Sequence, residues 1–162
     1  MLFLFNNAWI LFIVATIVNG FIIKSRAEEH IRTEPELKGS YETFIKGWFL
    51  YGNIPWVIMM IGNLSGYTTS FFDYMNPRSM NPMILFFHFS IIALWILGVH
   101  WIYFKNGAEF IEKHTALFRK SSIPEITHIS ARQVKILLPL MLLGGIIGMI
   151  LMWTTEIRVP TV

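Results

Sequence analysis

Four stretches of this chain are each about twenty predominantly apolar residues long: Phe3 to Ile23, Phe44 to Gly62, Met83 to Phe104 and Val134 to Trp153. A helix rises about 1.5 Å per residue, so each run can cross the roughly 30 Å hydrocarbon core of a bilayer. Nothing else restricts the fold as strongly, because backbone in lipid must satisfy its own hydrogen bonds and an uninterrupted apolar run does so as a helix. The 162 residues are 54% hydrophobic and only 14% charged, and the connections between the runs are too short for a soluble domain. The sequence therefore predicts a single all-α transmembrane domain over residues 1–162, an integral membrane four-helix bundle. The first run is expected to be a retained helix rather than a cleaved leader. No Lys or Arg precedes it, no small-residue cleavage site follows it, and Lys24 and Arg26 do follow it.

Basic residues set the expected orientation. Five lie between Lys24 and Lys46 (Lys24, Arg26, Arg32, Lys38, Lys46) and six in the third connection (Lys105, Lys113, Arg119, Lys120, Arg132, Lys135), against Arg78 in the second connection and Arg158 in the tail. Basic residues near span ends are retained in the cytoplasm, so the first and third connections are expected inside and both termini outside, in a bacterial-type cytoplasmic (inner) membrane. Tyr41, Trp48, Trp101 and Tyr103 then fall at the inner interface, and Trp9, Tyr67, Tyr74 and Trp153 at or near the outer one. The net charge of +3 is explained by this topological signal and by lipid headgroups, with no nucleic acid as partner.

The first connection is expected to be a short helical extension, a turn and a re-entry, interrupted at Pro35 and Gly39. In the third, "AEFIEKHTALFRK" puts Phe110, Ile111, His114, Leu117 and Phe118 on one face, which predicts an amphipathic helix in the cytoplasmic interface. Ser122 stands three residues before Glu125, a capping-box spacing that would start a further helix leading into the fourth span. Asn81 before Pro82 is expected to cap the third span, and Asp73 and Arg78 to form a surface ion pair.

The second span carries "YGNIPWVIMMIGN", with Asn53 and Pro55 near mid-membrane. Pro55 cannot donate to the carbonyl of Tyr51, and an unpaired carbonyl in hydrocarbon costs several kcal/mol. The break at Asn53 and Pro55 is thus expected to face the bundle interior, paired through Asn53, water, or a polar group such as Thr16, Asn19 or Ser90. In the fourth span, Gly144 and Gly148 lie four apart beside Gly145, a small-residue face that would either seal the bundle or join another chain.

Candidate chemistry is sparse. Between the boundary residues Lys46 and Lys135 and the outer edge, no span holds an acidic or basic residue in its interior, which argues against proton pumps and coupled carriers. The absence of cysteine excludes disulfides, thiolate metal sites and cysteine nucleophiles. Neither a phosphate loop nor a zinc-protease or serine-elbow motif occurs. His88 and His100 share the third span, but twelve residues separate them by about 18 Å along the axis, so they cannot hold one haem between them. Haem would need a methionine as second ligand. The outer methionines of "MNPRSMNPM", namely Met75, Met80 and Met83, together with His88, form a candidate soft-metal set suited to copper(I). The expected role is a non-enzymatic accessory or assembly subunit, with the lipid bilayer and other membrane subunits or a second copy as partners. The alternatives are a small transport or copper-handling protein and, further off, a haem b redox subunit.

Overall fold

The computed structural model describes residues 5–114, Leu117 and residues 129–155; 86% of it is helix, with no strand among the described residues. Helix α1 runs from Ala8–Thr33, well past the apolar run, and stops where Pro35 cannot continue it. The Glu34 amide closes its last turn on the His30 carbonyl at 2.9 Å. A single 3-10 turn, Pro35–Leu37, reverses the chain into α2, Lys38–Tyr51. Gly39, expected to interrupt this connection, lies inside α2. After a two-residue break at Gly52 and Asn53 the chain continues as α3, Ile54–Leu64, with Pro55 in its first turn.

Two further 3-10 turns, Phe71–Met75 and Pro77–Ser79, lead into α4, Pro82–Phe104. Asn81 caps α4 as its sequence implies, its Oδ1 accepting the Met83 amide at 3.0 Å. A seven-residue helix α5, Gly107–Lys113, follows, and α6, Ala131–Thr154, closes the described chain. The predicted Ser122 and Glu125 cap lies outside the described residues. A capping box does open α6, formed by Ser130 and Gln133. Four helical units, Ala8–Thr33, Pro35–Leu64, Pro82–Phe104 and Ala131–Thr154, are long and apolar enough to cross a membrane.

Packing concentrates at the two ends. At the end carrying the Pro35 turn, Ile23 and Ala27 of α1 meet Leu37, Tyr41, Ile45 and Leu117, flanked by Phe44, Phe49, Phe110 and Ile111. At the end carrying the Asn-Pro steps, Met59, Tyr74, Ile84 and Phe87 form a second core, with Trp9, Trp56 and Phe71 against it. Between them α1 approaches α2 at Gly20, where an added methyl would stand 2.5 Å from the Phe49 ring. Large apolar residues cover the outside, among them Phe21, Phe89, Phe104 and Met141. This inversion of the water-soluble pattern suits a hydrocarbon surround.

Helix α5 ends at Lys113, short of the stretch from which an amphipathic helix is expected, and Phe118 of that face lies outside the described residues. Phe110 stacks on Phe44 of α2 with centroids 5.7 Å apart and meets Trp101 of α4 edge-on at 5.6 Å. Helix α6 is joined to α5 by Lys135 Nζ on Glu109 Oε1 at 2.6 Å and to α4 by Tyr103, which donates to the Lys135 carbonyl at 2.6 Å. Asp73 and Arg78 do not form the expected pair. The Asp73 carboxylate accepts the Thr69 and Ser70 amides at the start of its own turn, while Arg78 donates to the Thr154 carbonyl at 3.4 Å. Backbone amides three and four residues upstream are nearer and already aimed, so the carboxylate is taken locally.

Candidate functional site

The Asn-Pro end contains the most elaborate polar arrangement. Residues 65 to 81 fold over the second core as a cover whose centre is Tyr74, only 1% exposed. Its hydroxyl donates to the Met59 carbonyl at 3.2 Å and shares a 3.1 Å bond with Thr68 Oγ1, which in turn bonds Asn63 Oδ1 at 2.9 Å. Burial pushes the Tyr74 phenol above its ordinary pKa, so it stays a hydroxyl. Gly62 makes this seat possible: any side chain there would meet the Tyr74 hydroxyl, Thr68 and Met83.

Beneath the cover, His88 of α4 is 3% exposed, and its Nε2 lies 2.8 Å from the Tyr74 carbonyl. A carbonyl only accepts, so Nε2 carries the proton and a neutral ring leaves Nδ1 as a lone pair. That Nδ1 is buried and has no hydrogen-bond partner. The Trp153 ring of α6 stands edge-on to the imidazole at 6.0 Å. A histidine anchored through one nitrogen to a backbone carbonyl, with the other free, has the orientation of a ligand or of an acceptor awaiting a donor.

The methionines singled out with it stand on different supports. Met75 ends the Phe71–Met75 turn and is half-buried; Met80 is 65% exposed and in the left-handed conformation at φ 55°. Met83 packs towards Gly62 on α3. Five residues separate Met83 from His88, which turns them about 140° apart around α4. Among the described residues no group of three or more His, Asp or Glu side chains could hold a metal ion.

The break in the second span is built by Asn53. Its Nδ2 donates to the Phe49 carbonyl at 2.7 Å, not to the Tyr51 carbonyl that Pro55 leaves without its donor, while its Oδ1 is buried without a partner. Thr16 and Ser90, considered as partners across the bundle, return their hydroxyls to carbonyls of their own helices, Phe12 and Phe87. Pro55 is buried. In α6 the small residues divide: Gly145 abuts Trp95, 2.7 Å from where its methyl would be, whereas Gly144 and Gly148 have nothing within 4 Å. On one side of the α4 and α6 contact runs an apolar groove of about 620 Å³, lined by Trp95, Ile96, Val99, Leu142, Ile146 and the lone polar residue His100.

At the opposite end, sequence reasoning placed His114 on the apolar face of a helix and missed its partner. His114 is 3% exposed, stacked on Phe110 at 3.8 Å with Tyr41 edge-on at 4.7 Å. Its Nδ1 is 2.6 Å from the Phe110 carbonyl and its Nε2 is 2.5 Å from Ser40 Oγ, on the first turn of α2. Seventy-four residues separate Ser40 from His114, so no local spacing could have joined them. Burial holds the His114 pKa below the ordinary imidazole value. Neither family models nor curated proteins nor solved structures show a match to this chain.

Proposed function

We propose that this protein is a non-enzymatic accessory or assembly subunit of a membrane complex, and that α6 is the helix by which it joins its partner. The observation that carries this reading is the state of α6. It has no buried residue along its 24 positions. It rests chiefly on α4 and α5 and leaves Gly144 and Gly148 beside open space. Glycine in a helix interior costs roughly 0.5 to 1 kcal/mol against alanine. Two such residues on an unpartnered face make sense where another backbone must come close, the usual use of small residues between membrane helices. The absence of Asp, Glu, Lys and Arg from the span interiors accords with a role in contact rather than transport. Basic connections held on the cytoplasmic side of a bacterial-type inner membrane would place the Asn-Pro cover outside. Purification in mild detergent from native membranes is expected to recover a second subunit or a second copy in stoichiometric amount. Recovery of a monomer alone, active in moving a solute across liposomes, would overturn the reading.

A second reading, soft-metal handling, is favoured by the buried unpaired Nδ1 of His88. On that reading, copper(I) retained by the purified protein falls on His88→Gln. Unchanged copper content would remove it.

A further inference from the structure

We propose that His114 and Ser40 form a pH-gated latch that docks α5 onto the first turn of α2 while the imidazole is neutral and releases it on acidification. The inference starts from a count of protons. Nδ1 faces the Phe110 carbonyl at 2.6 Å and must donate there. Ser40 has one hydroxyl proton and two acceptors in reach, the Leu37 carbonyl at 2.8 Å and His114 Nε2 at 2.5 Å. With a neutral ring, the hydroxyl donates to Nε2 and ties α2 to the end of α5. A second proton on Nε2 reverses that bond and sends the Ser40 proton to Leu37.

The reversed arrangement is geometrically sound but leaves a cation among weak partners. Among the described residues the ring is enclosed by the Phe110 face and the Tyr41 edge, and its hydrogen-bond partners are a neutral hydroxyl and a neutral carbonyl. Of the charged groups, Lys113 on its own helix opposes a second proton and Glu34 at the end of α1 favours it. Glu36 of the 3-10 turn and Lys38 of α2 are exposed to water. Burial outweighs the favourable contacts, so the docked ring takes its second proton less readily than a solvated one. The sign follows: the docked state binds fewer protons than the undocked state, so docking is full above the solvated value of about 6.5 and weakens as pH falls through it. Leu117, whose amide bonds the His114 carbonyl at 3.1 Å, belongs to the core under this latch, so release loosens the core at that end as well.

The test uses the full chain in lipid nanodiscs. Nitrogen-15 NMR of labelled histidine should give His114 a midpoint below about 6.5. Hydrogen-exchange protection of residues 107–114 should fall several-fold between about pH 7.5 and about pH 5.5. His114→Gln, which keeps a hydrogen-bond donor and an acceptor but does not titrate, should abolish that pH dependence; Ser40→Ala should lower protection at neutral pH, since the hydroxyl that ties α2 to α5 is gone. A midpoint at or above the solvated value, protection of 107–114 that does not change with pH, or the same pH response in His114→Gln would each overturn the latch. Should His114→Gln fail to fold, the NMR midpoint and Ser40→Ala decide it.

Discussion

Tyr74 is the residue on which the Asn-Pro end turns, because its ring fills the core, its hydroxyl reaches α3 and its carbonyl holds His88. Two substitutions probe these links separately. His88→Leu leaves the Tyr74 carbonyl without its partner in a buried site and is expected to cost about 1 to 3 kcal/mol, measured by thermal or denaturant unfolding in detergent. His88→Gln, which restores a donor, should lose less. Gly62→Ala drives a methyl into the Tyr74 hydroxyl, 3.0 Å from Thr68 Oγ1 and 3.2 Å from Met83 Cβ. The expected loss is about 1 to 3 kcal/mol, as for other overpacked sites. Because the nearest obstacle is one hydroxyl, Tyr74→Phe in the Gly62→Ala background should be less harmful than the two single losses added together. Additivity would mean that the clash lies elsewhere.

At the scale of elements, the break between α2 and α3 shows what could be read in advance and what could not. Pro55 announced a missing donor, and Asn53 was recognised beside it, since both follow from chain chemistry alone. That Asn53 bonds Phe49 depends on where the helix gives way, at Gly52 and Asn53. The four membrane-crossing helices were likewise legible because length and hydropathy suffice, and Asn81 was legible as a cap because the amide that donates to it is two residues away. The Tyr74 cover and the His114 to Ser40 bond were not. Each joins residues whose approach is decided by packing, and a hydrophobic pattern carries no information about which hydroxyl a buried imidazole will meet. The Asn53 side chain offers a graded test. Asn53→Ala removes the Nδ2 bond and also the unpaired Oδ1, so the two effects partly offset and a loss of about 1 kcal/mol is expected. Asn53→Asp keeps an unpaired oxygen, removes the donor and places an acid near mid-membrane, which should cost about 2.5 kcal/mol or more. Equal unfolding midpoints for the two variants would show that Asn53 faces water.

At the scale of the whole molecule, the chain is two unequal parts. Helices α1 to α4 enclose cores at both ends, while α6 lies along α4 with none of its residues buried. If α6 existed only to complete this bundle, its small residues would face inward, as Gly145 does against Trp95. Gly144 and Gly148 do not, so the isolated protein and its assembly should respond to substitution in opposite ways. Gly144→Ala with Gly148→Ala meets open space and replaces two poor helix formers, so the purified chain should be as stable as before or more stable by up to about 1 kcal/mol per site. The same pair should weaken recovery of the partner in mild detergent, since two methyls now hold the helices apart. Gly145→Leu is the control: its side chain runs into the Trp95 ring, so it should lower the stability of the chain itself. Partner recovery unaffected by Leu at both 144 and 148 would mean that this face meets only lipid, and the partner would then have to be sought on another helix.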